Sequence, residues 1–412
     1  MSEIGNDRKC LQFDNAAEIG YIEEVLINIL ARLPVKTVVA CKSVAKHWLK
    51  LISEPQFPVL QLTWSRRKLK YIICPYPEDT DIITHLSLME ENGKISQTLP
   101  LSGFENICSP EMFCFMNGLI CSVDEDDDLN EVNVRIFNPI TQDTLLLPRG
   151  SPSLIVPSVG IAFDPKSNEF KAFRFFSEPS EDEDVKYKCE VYTSSSTAWR
   201  RISEDVERPD HNPFHPFPPY YASVAGSLYW FVWSEDDPGT PLRILSVDMN
   251  DNFTEIELPT LLHQWSFLIE FEGCLSVVLM DYPDSFTASQ HEDPQPYLEV
   301  YKFKNHKWCL RAKAEMELMD IHSFNSVAAR DNEIFLIIRL ADDSFCYLVF
   351  DMAENSFHTL ALSDSFEGYS PVAFPFAESL LKLWDFVDYA TDLHMEMRWN
   401  PFLNRRRLRV RY

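Results

Sequence analysis

FNPITQDTLLLP, Phe137 to Pro148, reads as strand, turn and strand, closing on Leu-Pro. Apolar residues flank a turn built from Asn, Pro, Thr, Gln and Asp, side chains that favour reversal of an extended chain. The same outline returns as MEENGKISQTLP from Met89, YTSSSTAWRRIS from Tyr192, DMNDNFTEIELP from Asp248, YKFKNHKWCLRA from Tyr301 and DMAENSFHTLAL from Asp351. Successive copies start 48 to 56 residues apart, the size of one propeller blade.

Five stretches read as turns that launch an apolar strand: NGLIC at Asn117, VGIAF at Val159, AGSLYWFVW at Ala225, EGCLSVVL at Glu272 and DNEIFLII at Asp331. Six hairpins, five of them preceded by such a strand, predict a ring of four-stranded sheets. Closure of the ring removes the unpaired strand edges of an open array. YSPVAFPFAESLLKL, after the sixth hairpin, is placed to supply the strand that completes the first blade. The fold class expected is mainly β, a six-unit β-propeller-like domain behind a small N-terminal α-helical module. There is no Gly-Gly pair of the kelch kind and no Gly-His to Trp-Asp unit of the WD40 kind, and a β-sandwich-like repeat domain satisfies the same pattern.

The chain has 412 residues, 45% apolar and 13% aromatic, enough for a full core and more than one domain. Its formal charge of -26 argues against general affinity for nucleic acid or anionic membrane. The ten cysteines form no CxxC pair and no ligand set with His, as expected of reduced thiols in a cytoplasmic or nuclear protein. No apolar run approaches a membrane span. The sequon at Asn252 is therefore expected to go unused.

The front of the chain has a different texture. Ile22, Leu26, Ile29, Leu30 and Leu33 recur at helical spacing up to Pro34, and a second helical stretch runs from Val38 through Val44, Trp48 and Ile52 to Pro55. Strand texture begins at Leu62. Two such helices cannot bury both apolar faces against each other, so apolar surface remains for a partner or for the next domain. Arg32 to Lys70 carries nine Lys or Arg against one acidic residue, Glu54, a basic end on an acidic protein.

Ile29, Leu30, Arg32, Leu33, Pro34, Val35, Lys36, Val44, Lys46, Trp48, Ile52, Pro55 and Phe57 give this segment its resemblance to an F-box, the module that docks a substrate receptor onto the acidic Skp-type adaptor of a cullin-RING (SCF) ubiquitin ligase. The resemblance implies adaptor binding by Ile22, Leu26, Ile29, Leu30, Leu33, Pro34, Val44, Trp48 and Ile52. The family usually places Leu-Pro before the first long helix, where this chain has Tyr21-Ile22. NGLICS, RIFNPITQDTLLLP, GIAFDPKSNEFKAFRF, CEVYTSSSTAWRRI and AGSLYW are similar to the F-box-associated, kelch-like domain of a large plant family of such receptors. The expected organisation is a flexible 1-17, an F-box module over 18-60, a β-rich recognition domain over 61-382 and a basic tail over 383-412.

Signals for catalysis are weak. His211 and His215 lie among prolines that forbid a helical metal pair. DEDDDLNE from Asp124 lacks the Gly and Glu of a calcium loop, since Leu129 and Arg135 stand there. It and SEDEDV from Ser180 read as solvated loop tips. No GxSxG, HExxH or phosphate-binding glycine loop occurs, and no cofactor or metal is expected. The resemblance implies a non-catalytic receptor that binds the adaptor at one end and a target protein through the β-rich domain. A propeller enzyme or small-molecule binder, or an F-box scaffold outside ubiquitination, is the alternative. Candidate target contacts are the aromatics Phe214, Phe217, Tyr220, Tyr221 and Trp265, between repeat units, and these residues can equally pack between blades. The six arginines of RWNPFLNRRRLRVRY read as a basic tail or an import signal.

Overall fold

The computed structural model describes residues 15–383 apart from 78–82, 102–112, 117, 125–132, 154–156, 165–168, 179–186, 204–205, 207–220, 234–239, 261–264, 282–294, 319, 363–365 and 367, with backbone alone for 15–21. Four helices come first: α1 (Asn15–Ala31), α2 (Val35–Cys41), α3 (Lys46–Ile52) and α4 (Gln56–Ser65).

The strands that follow form six antiparallel sheets of four. In chain order they begin with β1 (Lys70–Pro77), β2 (His85–Met89) and β3 (Ile95–Pro100), and the second sheet is β4 (Phe113–Met116), β5 (Leu119–Asp124), β6 (Asn133–Asn138) and β7 (Asp143–Leu146). The third is β8 (Ser158–Asp164), β9 (Glu169–Ser177), β10 (Tyr187–Thr193) and β11 (Arg200–Ser203). The fourth is β12 (Tyr221–Val224), β13 (Ser227–Trp233), β14 (Pro241–Val247) and β15 (Phe253–Ile256). The fifth is β16 (Ser266–Phe271), β17 (Cys274–Asp281), β18 (Tyr297–Lys304) and β19 (Lys307–Glu315). The sixth is β20 (Ile321–Arg330), β21 (Glu333–Leu340), β22 (Phe345–Asp351) and β23 (Ser356–Thr359), and the last strand is β24 (Tyr369–Phe376).

β24 pairs with β1 from Lys70 opposite Phe376 to Pro77 opposite Tyr369 and becomes the inner strand of blade 1. The inner strands β24, β4, β8, β12, β16 and β20 pack one against the next, and β20 meets β24. The fold is a six-bladed propeller closed by its own end segment, as YSPVAFPFAESLLKL suggests, and the sandwich is excluded. Apolar clusters fill the seams between neighbouring blades, for example Phe175 and Trp230 between blades 3 and 4, and Phe271 and Phe324 between blades 5 and 6.

Each of the six repeated stretches is the outer hairpin of a blade, with Phe137–Pro148 spanning the turn from β6 to β7. Two of the ends have a visible purpose. The Trp199 indole donates to the Pro148 carbonyl at 2.6 Å and the Trp308 indole to the Glu257 carbonyl at 2.7 Å, each reaching from one outer hairpin to the end of the blade before.

Four of the five launching turns join the first and second strands of a blade, with positive φ at Gly118, Ala225, Glu272 and Asp331. The fifth does not. VGIAF lies inside β8, and its glycine supplies space rather than a turn: a Cβ on Gly160 would come within 2.3 Å of Leu228 Cδ2 in the next blade.

The helical front also departs from the two-helix expectation. Its second stretch is broken at Lys42–Ala45, where Ser43 Oγ donates to the Ala40 carbonyl at 2.7 Å and Ala45 is extended, so α2 and α3 are separate. Instead of strand, residues 56–65 form α4. Phe57 on α4 sits in the core of the helical module and Leu62 in the core of the propeller, which makes α4 the joint between them.

Candidate functional site

The helical module closes a small core of its own from Leu30, Val35, Val38, Ile52 and Phe57, with Leu26, Leu33 and Trp48 half-buried against it. Leu380, from the segment after β24, completes that core, and Ile140 of the β6–β7 turn packs against it. The module is thereby seated on blades 1 and 2.

What this core leaves outside is the distinctive feature. Seven large hydrophobic side chains are exposed among the described residues, and five of them are Ile22, Val25, Ile29, Val44 and Leu49. Ile22, Val25 and Ile29 are spaced three and four apart along α1 and share one face. Val44 projects from the break between α2 and α3, 65% exposed. The predicted adaptor set therefore divides: Ile22, Ile29, Val44 and Pro34 are exposed, Leu26, Leu33 and Trp48 are half-buried, and Leu30 and Ile52 are interior. Val25 and Leu49 belong to the exposed set and were not selected from sequence. For Val25 the signal was present, three residues after Ile22 and four before Ile29.

α1 runs through Tyr21 and Ile22 without interruption from Asn15. A proline at residue 22 would end the hydrogen-bond ladder there, so its absence lets the helix extend backwards.

The basic charge also divides. Arg32 and Arg67 both stack on the Trp64 indole of α4, at 4.1 and 4.3 Å from the ring centroid. Arg66 pairs with Glu270 of β16 at 2.7 Å, and Lys70 with Glu90 at 2.9 Å and Glu378 at 3.3 Å. Burial depresses the Lys70 ammonium, but the bonds to Glu90 and Glu378 outweigh it and its pKa is raised. Lys42 is held below the usual lysine range by burial and by Lys382, against the pull of Asp143. Lys36, Lys46 and Lys50 remain exposed on the helices. Of the nine basic residues, Arg66 thus ties α4 to β16, Lys70 pairs at the start of blade 1, Arg32 and Arg67 stack on Trp64 within the module, and Lys36, Lys46 and Lys50 face solvent on its helices.

The inner strands enclose an axial cavity of about 660 Å³. Its wall is largely apolar, with Phe115, Met116, Leu268, Phe271 and Phe374, and titratable groups sit among these: Arg66, Asp164, Glu270, Glu272, Arg330 and Asp331. Ion pairs engage Glu270 with Arg66, Glu272 with Lys302 and Arg330 with Glu333. Among the described residues no cluster of three or more His, Cys, Asp or Glu is arranged to hold a metal ion.

Of the predicted target contacts, Phe214, Phe217 and Tyr220 lie outside the described residues, as do His211, His215, residues 125–132 of the acidic loop, the whole of SEDEDV (180–185) and the arginine-rich tail. Tyr221 is half-buried, donating its hydroxyl to the Val159 carbonyl between blades 3 and 4. Trp265 is half-buried edge-on to Phe324, 5.5 Å between centroids, between blades 5 and 6. Both rings pack in seams of the propeller, and Tyr221 also lines the axial cavity.

The F-box associated beta propeller domain family matches residues 72–380, and the F-box domain matches residues 23–60. The chain belongs to the family of F-box proteins that carry this propeller. F-box protein At5g07610 of Arabidopsis thaliana is 29% identical over 259 residues, 57% of this chain, and the match spans only 56% of that relative's own length. F-box protein At4g19940 of the same plant is 21% identical over 383 residues, 84% of this chain and 86% of the relative. Among solved structures, the β-propeller domain of the Trilobed protease from Pyrococcus furiosus covers 60% of this chain and 70% of its own, at 11% identity and a TM-score of 0.36, too low for any functional comparison. No helix among the described residues is long and apolar enough to cross a membrane.

Proposed function

We propose that the chain is the substrate-recognition subunit of an SCF-type ubiquitin ligase, acting in the cytoplasm or nucleus. The observation that carries the reading is the concentration of exposed apolar side chains on the helical module, Ile22, Val25, Ile29, Val44 and Leu49, around a core that is already filled. Such a patch on a compact domain is an interaction surface. In the proposed complex it meets the Skp-type adaptor, and Lys36, Lys46 and Lys50, exposed on α2 and α3 of the same module, favour an acidic partner.

The chain's contribution is position. The fastening of α4 to β16 and blade 1 holds the propeller in one orientation relative to the adaptor, so a target bound to the propeller is presented to the conjugating enzyme at high effective concentration. Ubiquitin transfer itself belongs to other subunits.

The test is capture from cells under proteasome inhibition, comparing wild type with the double variant Ile29→Asp, Val44→Asp. Targets are expected to bind both forms, with ubiquitinated species recovered only with wild type. Equal recovery of ubiquitinated species with the variant would overturn the reading.

A further inference from the structure

We infer that the outer edge of blade 5 is a docking strand for an acidic, extended peptide segment, which adds beside β19 as a fifth strand. This surface lies on the propeller and does not depend on adaptor docking.

The blades finish differently. The outermost strands β7, β11, β15 and β23 have four residues each and β3 has six, whereas β19 has nine. Short edge strands protect a sheet from pairing with other chains. β19 does without that protection, and no described strand pairs with its outer side. Leu310 on this strand is 54% exposed, one of only two large hydrophobic side chains exposed on the propeller among the described residues. It follows Trp308, whose indole is fixed to the blade before.

Charge then selects the occupant. From Lys302 to Lys313 the hairpin has five Lys or Arg and no Asp or Glu, in a chain of net charge -26. Lys302 and Lys313 are engaged with Glu272 and Glu299. Lys304, Lys307 and Arg311 are exposed and have no ion-pair partner among the described residues. The turn at Asn305 and His306, both at positive φ, holds the hairpin in one register. The bulge at Arg311, opposite Val300 and Tyr301, divides the edge into Lys307–Leu310 and Ala312–Glu315, and the lysines deter basic strands from pairing along it. An acidic strand is attracted by the same side chains, since opposite charges across a strand pair are favourable. Addition of a strand to a sheet edge supplies affinity through main-chain hydrogen bonds, with side chains setting specificity.

The test uses the full chain and three fluorescent probes: a decapeptide of alternating Glu and Val, its counterpart of alternating Lys and Val, and the Glu-Val peptide with alternate amides N-methylated. Anisotropy is expected to show binding of the first probe alone, weakening as salt rises. The variant Lys304→Glu, Lys307→Glu, Arg311→Glu is expected to bind it at least about tenfold more weakly. Gln at the same three positions gives an intermediate loss, and thermal melting of both variants reports folding. No binding of the Glu-Val probe, equal binding by the folded charge-reversed variant, or undiminished binding of the N-methylated probe would each overturn the inference. So would concentration-dependent self-association of the chain that the Glu substitutions abolish and the probe does not compete with.

Discussion

The side-chain amide of Asn138 donates to Ser379 at 3.1 Å, to both its carbonyl and its hydroxyl, and to the Leu381 carbonyl at 3.0 Å. Its own oxygen accepts from the Ile140 amide at 2.9 Å. One fully buried side chain in the outer turn of blade 2 therefore holds the segment that closes the ring, and between Ser379 and Leu381 that segment delivers Leu380 to the core of the helical module. Ring closure and module seating share this anchor. Asn138→Ala leaves several buried polar groups unpaired and is expected to cost about 2–4 kcal/mol, measured by denaturant unfolding.

Gly118 approaches the same segment from blade 2. Its φ is +77°, and a Cβ there would lie 2.3 Å from the Ala377 carbonyl oxygen and 2.7 Å from Ser379 Oγ. Gly118→Ala combines an unfavourable φ with backbone overlap, so a loss of about 2–3 kcal/mol is expected in the same unfolding measurement.

The Trp199 indole joins blades 2 and 3 through its bond to the Pro148 carbonyl. Trp199→Phe keeps most of the apolar contact and deletes the donor, for an expected loss of about 1 kcal/mol. The denaturation midpoint should fall with an unchanged slope.

Glu178 accepts from Lys188 at 2.6 Å and from Arg201. The Lys188 bond first, then Arg201 against an opposing effect of burial, holds its carboxyl below the usual range. Because the folded pKa lies below the unfolded one, this stabilisation is fully present above the unfolded pKa of about 4.3 and disappears as pH falls through the folded value. Glu178→Gln is expected to be about 0.5–1 kcal/mol less stable than wild type at neutral pH, allowing for partial solvent screening. The gap should close in acid, as read from urea denaturation across a pH series.

The propeller was legible because each outer hairpin repeats its turn chemistry at a near-constant period, and because Tyr369–Phe376 had the apolar pattern of a missing inner strand. VGIAF misled because a glycine flanked by apolar residues looks the same whether it is needed for a turn or for the space beside Leu228. α4 was hidden by its mixed roles: Phe57 and Leu62 face different cores, so the helix has no single apolar stripe. The division of the adaptor set into exposed Ile29 and Val44 and interior Leu30 and Ile52 depends on the break at Lys42–Ala45 and on Leu380, which arrives from the far end of the chain. Arg66 and Lys70 read as part of a basic patch, although their partners Glu270 and Glu378 lie more than 200 residues away.

The central claim is that the exposed apolar face of the helical module binds an adaptor while its interior residues only support it. The most direct measurement is calorimetric titration of the full chain with a Skp-type adaptor, comparing wild type with Ile29→Asp, Val44→Asp at equal melting temperature. A loss of at least about 100-fold in affinity is predicted, since charges placed at the centre of an apolar interface are left unpaired. Affinity within about twofold of wild type would contradict the account.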